Sequence, residues 1–348
     1  MVGVNACTTL PNRFDDGGRR GRVSTIRDIA RQAGVAVSTA SLALNGDERV
    51  APDTRKRVLA VAERLDYHPS RTAKSLSSGR TWSLHLLNPM GEAGLSSSFF
   101  TRFVHGVHDV VHTRDYTLAL TVLDDEAEAR DLLGKLILER WTDGVILMNL
   151  SEEEPLLAKL LQHDFPHVLL GHSGLPGITS VDNDNVAVGR DAARHLLERG
   201  RAPLLFLNGP EAHAFAQERA RGFVAAHAAA GVPVGPDAVQ FGVQTAEDAR
   251  ARLGGLLAGG GEYGGVLASS DELAIGALRA LRDAGRRVPT DVAVVGMNDD
   301  ALTEYTDPRL TSVDLNAAEL GRVAAELLIR SIERHPPARR LVAHRLTQ

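Results

Sequence analysis

The sequence predicts two architectures in one chain: a small all-α head of helix-turn-helix type, then an α/β body of two doubly wound lobes. Three observations carry this. Residues 25–46, TIRDIARQAGVAVSTASLALNG, hold two short helical patterns pinched around one glycine. From residue 81 onward, short apolar runs alternate with helical stretches, the pattern of parallel sheets covered by helices. Charge is also divided. Residues 1–80 hold 14 basic and 8 acidic side chains, a balance of +6, and residues 81–348 hold 25 and 36, a balance of −11. The net charge of −5 therefore hides a basic head on an acidic body, which points to a polyanionic partner for the head.

Composition narrows the class. With 348 residues, 43% of them hydrophobic, the chain can bury more than one core. No apolar run reaches the roughly 18 residues of a membrane span. The opening MVGVNACTTLPNRFDDGGRRGR lacks the basic start and apolar run of a secretory signal. The single cysteine, Cys7, allows no internal disulfide, which fits a reducing compartment. These features predict a cytoplasmic protein with no membrane partner. Arginine outnumbers lysine 35 to 4, which reflects a GC-rich genome better than a mechanism.

In the head, Thr25 is placed to cap a helix, with Asp28 three residues on. Ile26, Ile29 and Ala30 recur at helical spacing. Gly34 supplies the tight turn, and Val35 plugs its corner. A second helix runs from near Val37 to Leu44 and stops at Asn45-Gly46. Ala40 and Ala43 are small enough for close helix approach. A third helix opens at Ala51-Pro52 and buries Val58, Val61, Ala62 and Leu65. Tyr67-His68-Pro69 ends it. In such a unit the second helix of the motif enters the major groove.

Domain limits follow as a disordered tail over 1–22, the head over 23–69, a hinge over 70–80 and the body over 81–348. Ser70 to Ser78 has the length of two helical turns, too short to be stable alone. In the body, SLHLLN, YTLALTVL, DGVILMN, PHVLLG, PLLFLNG, GVLASSD and DVAVVGMND belong to a series of about nine strands, more than one comfortable sheet. Their carboxyl ends, where ligands sit in such folds, are polar: Asn88, Asn149, Asn208-Gly209, Ser269-Ser270-Asp271 and Asn298-Asp299. This suits a polyhydroxylated ligand or a nucleobase.

The segments TIRDIARQAGVAVSTASLALNG and VAPDTRKRVLAVAERLDYHPSRTAKSLSSGRT resemble the lactose-repressor (LacI/GalR) family of bacterial transcription regulators. The resemblance covers residues 24 to about 345. It implies that Val37, Ser38 and Leu42 reach base edges and that Thr39, Ser41 and Asn45 touch phosphates. Thr25, Arg49 and Arg71 join this DNA-facing set, with Arg55, Lys56 and Arg57 as further backbone contacts. Relatives often carry Arg where this chain has Leu42, and Ser where it has Ala36. Leucine contacts a thymine methyl but not guanine bidentately. The resemblance further implies a hinge that folds on operator DNA beside its twin from a second subunit. Leu76 would wedge into the minor groove, and Ala73 would let the two hinge helices pack.

The segments SVDNDNVAVGRDAARHLLERG, ERARGF, SSDELAIGALRALRDAGRRVPTDVAVVGMNDD and DPRLTSV resemble the family's periplasmic-binding-protein-like effector domain. This implies three crossovers between lobes, near 180–185, 310–316 and 335–340. It also implies a ligand set of Asn88, Phe99, Phe100, Phe215, Arg219, Ser270, Asp271 and Asn298. Arg219 matches an arginine that grips ligand. Asn298 stands where many sugar binders have Asp, and Ser270 where many have Asn. Asp271 is equally placed to cap the helix ELAIGALRAL, and Phe99 and Phe100 to pack a core. The loop NPMGEAGLSSS is longer than usual and suits a lid or an altered wall.

Enzyme signatures fail. GHSG at 171–174 has Leu175 where a nucleophile elbow needs glycine. GGGEYG at 259–264 precedes a strand instead of following one, so it is not a dinucleotide loop. His105, His108 and His112 share a helix face, but no Cys or carboxylate joins them at that spacing. No catalytic residue, metal or cofactor is expected. Two readings stand. One is a ligand-responsive regulator, a repressor that binds a near-palindromic operator as a homodimer and is switched by a sugar or related metabolite between the lobes. The other is a stand-alone small-molecule-binding α/β protein or enzyme with an incidental basic head. A wedge leucine in a marginal helix has no use away from DNA, which favours the regulator. The family's tetramer-forming extension has no counterpart before Gln348, so a dimer is expected. Leu76→Ala should weaken operator binding far more than non-specific binding, read by titrating operator and random duplex at one salt concentration. Equal losses on both would dispose of the wedge.

Overall fold

The computed structural model describes residues 24–44, 46–67, 74–75, 78–88, 97–123, 126–150 and 155–347. The chain falls into two compact units, Met1–Arg80 and Thr81–Gln348. The tail, Asn45, Arg71, Ala73, Leu76 and residues 89–96 of the Gly/Ser-rich loop lie outside the described residues.

Three helices of the first unit lie wholly among the described residues: α1 (Ile26–Ala33), α2 (Val37–Leu44) and α3 (Pro52–Arg64). Thr25 and Asp28 form a full capping box at the start of α1, satisfying two amides that the helix leaves open. Gly34 closes the helix in the left-handed region, at φ 65°, where only glycine sits without strain. The core is Ile29, Ala30, Ala33, Ala40, Ala43, Val50, Val58, Val61 and Ala62, with Val35 and Leu65 packed against it. Ala40 and Ala43 are the buried pair of α2, as their size suggested.

The second unit contains two six-stranded sheets among the described residues. Strands β1 (Ser83–Asn88), β2 (Thr117–Val122), β3 (Gly144–Leu147), β4 (His167–Leu170) and β5 (Ser180–Asp182) build the first, with β11 (Arg339–Leu341) at its edge. Its order is β11-β5-β4-β3-β1-β2, all parallel. The second sheet holds β6 (Leu204–Leu207), β7 (Val239–Gln240), β8 (Gly265–Ala268), β9 (Ala293–Met297), β10 (Thr311–Asp314) and β12 (Arg345–Thr347). Its order is β12-β10-β9-β8-β6-β7, with only β12 antiparallel. The apolar runs feed both faces of each sheet. Leu84 and Leu86 enter one core of the first lobe and Leu87 the other. Leu204 and Phe206 enter one core of the second lobe, Leu205 and Leu207 the other. Strands buried on both faces must read as continuous hydrophobic runs.

Helices α4 (Ser98–Thr113), α5 (Glu126–Leu138), α6 (Pro155–Gln162) and α11 (Ala317–Ile332) cover the first sheet. Helices α7 (Asn185–Leu197), α8 (Ala214–Ala230), α9 (Ala246–Ala258) and α10 (Asp271–Asp283) cover the second. In each lobe one helix pair meets backbone to backbone. A Cβ on Gly106 of α4 would collide with the Ala318 carbonyl, and one on Gly321 of α11 with that of Phe103. Gly189 of α7 and Gly222 of α8 face the Arg219 and Val186 carbonyls in the same way.

Three crossovers join the lobes. The first follows β5 and the second follows β10, within the spans the resemblance implied. The third lies between β11 and β12, at 342–344, later than the 335–340 expected, because RRL at 339–341 still belongs to the first sheet. Five strands (β5, β7, β10, β11 and β12) were not among the seven quoted runs. They are two to four residues long and exist through pairing with neighbours rather than through an apolar run of their own. At the crossovers the buried Asn183 amide donates to Leu315 O at 3.0 Å and Val342 O at 2.9 Å. Asn183→Ala leaves both carbonyls without that donor, so the body should lose about 1–3 kcal/mol. The urea midpoint measures this, and a shift too small to detect would show that the crossovers hold without the amide.

Candidate nucleic-acid interface and interlobe site

Helix α2 carries no charged residue. Val37 is 44% exposed, Ser38 is exposed, and Thr39 and Ser41 are half-buried. Leu42 is half-buried and packs against the head's core. The free surface of α2 therefore offers a valine side chain and hydroxyls, a set that reads methyl groups and hydrogen-bonding edges. Thr25 has its hydroxyl engaged by Asp28, at 2.7 Å to Oδ2. Arg49 grips Asp47 with Nε at 2.9 Å and Nη2 at 2.7 Å, and its guanidinium holds the Asp47 carboxyl down at about 2. Arg55 donates to the Gly46 and Asp47 carbonyls and Arg57 to Ala33 O at 2.9 Å. These two arginines brace turns of the head, while Lys56 is exposed.

In the body, the strand-order reversals fall between β1 and β3 and between β6 and β8, the places where doubly wound sheets open a ligand crevice. At the first, Asn149 Nδ2 donates to Asn88 Oδ1 at 2.8 Å. Asn88 is fully buried, and its own Nδ2 has no hydrogen-bond partner among the described residues. At the second, Asn208 Nδ2 donates to Ala216 O at 2.8 Å, which holds the start of α8 against the end of β6.

Arg219 is the centre of the interlobe polar set. It is 7% exposed, its Nε donates to Asn185 Oδ1 at 3.0 Å, and its guanidinium lies 5.1 Å from the Phe215 ring centre. Burial pulls its pKa down to about 10, so it stays charged at neutral pH. Asn185 Nδ2 donates in turn to Asp182 Oδ1 at 3.0 Å. His172, just past β4, has Nδ1 3.7 Å from Asp182 and Nε2 3.6 Å from Glu218 of α8. The Asp182 carboxylate, with Glu218, holds the His172 imidazole above its ordinary value. Burial raises the Glu218 carboxyl.

The remaining expected ligand residues are scattered in role. Phe99 is half-buried, stacks on Phe103 at 6.4 Å and packs against the cores of both lobes. Phe100 is 5% exposed in the first lobe's core, which makes it a packing residue. Ser270, not Asp271, caps α10, accepting from Leu273 N at 3.2 Å. Asp271 is buried and braces the neighbouring loops, accepting from Ser312 Oγ at 2.6 Å and Asp300 N at 2.7 Å. Asn298 sits at φ 101°, and its carbonyl accepts from Arg102 of α4. The residues passed over individually are His172, Asp182, Asn183, Asn185 and Glu218. All lie inside or beside quoted segments, but their convergence cannot be read from linear spacing. The three helical histidines of α4 have ring centres 6.4 and 5.5 Å apart. Among the described residues, the cluster able to hold a metal is instead His172, Asp182 and Glu218, whose donor atoms lie within 4.8 Å of one another.

Burial, aided by the nearby charges of Asp300 and Asp299, pushes Asp271 up to about 7. The folded protein thus holds this proton more tightly than the unfolded chain. The stability it contributes is present below pH ~4 and is lost as pH rises to about 7. Asp271→Asn should flatten that part of the profile when urea midpoints are measured between those limits, and an unchanged slope would exclude Asp271 as its source.

The comparisons with known proteins agree with this geometry. The description "Bacterial regulatory proteins, lacI family" matches residues 25–70, and "Periplasmic binding protein-like domain" matches residues 193–348. The HTH-type transcriptional regulator CelR of Thermobifida fusca is 33% identical over 314 residues, covering 89% of this chain and 92% of that protein. The ribose operon repressor of Halalkalibacterium halodurans is 32% identical over 321 residues, covering 90% and 92%. A solved complex of the regulator CelR with cellobiose superimposes with a TM-score of 0.73 at 31% identity, covering 93% of this chain and 98% of that one. The Lac repressor dimer bound to operator and an anti-inducer shares the fold, with a TM-score of 0.81 at 22% identity over 94% and 98%. Among the described residues no helix is long and apolar enough to cross a membrane.

Proposed function

Because the chain belongs to the LacI family of bacterial regulatory proteins, we propose that it is a ligand-responsive repressor acting as a homodimer on a near-palindromic operator. Two copies of α2 then enter successive major grooves. The hinge would fold on the DNA, with Leu76 as the wedge and Ala73 at the contact between hinge helices. The effector we assign to the interlobe site is a sugar or related polyhydroxylated metabolite. The observation that carries this is the set at the strand ends: buried Arg219 over Phe215, Asn185 and Asp182 beside it, and an unused Asn88 Nδ2. Buried amide and guanidinium donors match hydroxyl oxygens, and an aromatic face matches the C–H face of a sugar ring. The cellobiose-bound regulator, at 31% identity, supports the same class. We read the site as one of binding without turnover, in a cytoplasmic protein.

Effector binding would change the angle between lobes and so the spacing of the two hinges. The coupling is the few kcal/mol typical of allostery. The test is selection of duplexes from a random pool by the full-length protein at physiological salt, with and without a mixture of sugars and nucleobases. Enrichment of a near-palindrome, with occupancy changed by the sugar fraction, is expected. Arg219→Ala should keep operator affinity and lose the response to effector. No enrichment under either condition would overturn the regulator reading, and a response only to nucleobases would overturn the sugar assignment.

A further inference from the structure

We propose that His172, Asp182 and Glu218 form a site for a divalent first-row transition-metal ion, of the zinc class, that ties one lobe of the body to the other. This goes beyond the effector reading and does not depend on it. His172 follows β4 and Asp182 ends β5, both in the first lobe, while Glu218 lies on α8 in the second. An ion held by all three is therefore a bond between lobes.

The donor set fits such an ion. One imidazole nitrogen and two carboxylate oxygens are borderline-to-hard ligands suited to zinc, cobalt or nickel. Bound to a divalent cation, the three groups would act in their deprotonated forms, and the two carboxylates would offset the ion's charge. The donor atoms lie within 4.8 Å of one another. Bonds of about 2.0–2.2 Å place ligands on opposite sides of an ion about 4 Å apart, so a small swing of the Glu218 side chain completes the convergence. The 3.6 and 3.7 Å separations from His172 are too long for good hydrogen bonds and suit ligands that share an ion.

The outer shell is built as well. Asp182 Oδ1 is occupied by Asn183 N at 2.8 Å and Asn185 Nδ2 at 3.0 Å, leaving Oδ2 directed at His172. Arg221 Nη2 donates to Glu218 Oε1, the oxygen that also faces His172, at 3.3 Å. Partners of this kind orient ligating carboxylates and tune affinity. The site is partly screened from water, with side-chain exposures of 17%, 10% and 14% for His172, Asp182 and Glu218. Three protein ligands leave coordination positions open for water or for a hydroxyl of a bound effector.

The experiment is direct. Full-length protein stripped with a chelator is titrated with zinc chloride by calorimetry and with cobalt chloride by visible absorption. One zinc per chain is expected, with a cobalt d–d band that zinc abolishes. Zinc should also raise the thermal midpoint, because it binds only the folded arrangement. His172→Ala and Glu218→Gln should each lower zinc affinity by ~100-fold or more, the upper range for loss of even an outer-shell partner, and should remove the cobalt band. His108→Ala should change neither. If His172→Ala fails to fold, Glu218→Gln decides alone, since it keeps the side chain's shape and replaces only one carboxylate oxygen. Absence of saturable zinc binding, full binding in Glu218→Gln, or loss of binding in His108→Ala would each overturn the site. The cluster would then be a hydrogen-bonded contact between lobes.

Discussion

The two-lobe arrangement hangs on the side chain of Asn183. Three connections cross between lobes, and the Asn183 amide gives one hydrogen to the second and one to the third, at Leu315 and Val342. Its own backbone N–H goes to Asp182 Oδ1 on the first. Buried carbonyls need donors, and an amide is the smallest side chain that supplies two. The network then continues outward. Asp182 Oδ1 also accepts from Asn185, and Asn185 Oδ1 accepts from Arg219. Arg219 is thus two side chains removed from the residue that fixes the crossovers. A force on the guanidinium is transmitted to the crossovers through hydrogen bonds of fixed direction.

Packing inside a lobe and packing between lobes differ in kind. Inside, α4 with α11 and α7 with α8 meet at reciprocal glycines so closely that a methyl group cannot be inserted. Such pairs have no slack and move as rigid bodies. Between lobes the contacts are a few polar groups and one ring: Arg102 to the Asn298 carbonyl, His172 beside Glu218, and Phe99 touching both cores. Exposed or half-exposed polar contacts are individually weak. The free energy separating two lobe angles is then small enough for one bound molecule to change it, the requirement for hinge closure about a ligand.

Most of this was legible in the sequence because it is local. The capping box at Thr25, the Gly34 turn, the alanines of α2 and the apolar runs of β1, β3, β6, β8 and β9 are statements about neighbouring residues. Polar strand ends pointed to the carboxyl edge of the parallel strands, where a crevice is expected in such sheets. What sequence reading missed is long-range. Strands β11 and β12 consist of Arg339–Leu341 and Arg345–Thr347, with no apolar pattern, and are made by pairing. Phe99 and Phe100 were indistinguishable on paper, yet one faces two lobes and the other is sealed in a core. The capping role went to Ser270, because Asp271 is drawn inward by Ser312 and Asp300. His172 was noticed only as part of a failed nucleophile motif. Its carboxylates lie 10 and 46 positions away, and only the sheet order brings them to it.

The chemistry of α2 constrains how this repressor can choose its DNA. Relatives that place Arg at the position of Leu42 gain a bidentate contact to guanine, among the strongest single sources of base discrimination. Here Leu42 is partly spent on the head's own core, and nothing charged replaces it on the helix. Arg49, Arg55 and Arg57 are each engaged by hydrogen bonds within the head. On the proposed docking of α2, discrimination would then rest on contacts from Val37 and Ser38 and on a methyl contact from Leu42, each weaker than a bidentate pair. A head that reads weakly needs another term to reach operator specificity. Deformation of the duplex at the dyad supplies one, because its energy depends on a base step that the helices never touch. With the hinge folding on DNA as proposed, it would be a principal determinant of sequence choice, and an effector that alters hinge spacing would alter specificity as well as affinity.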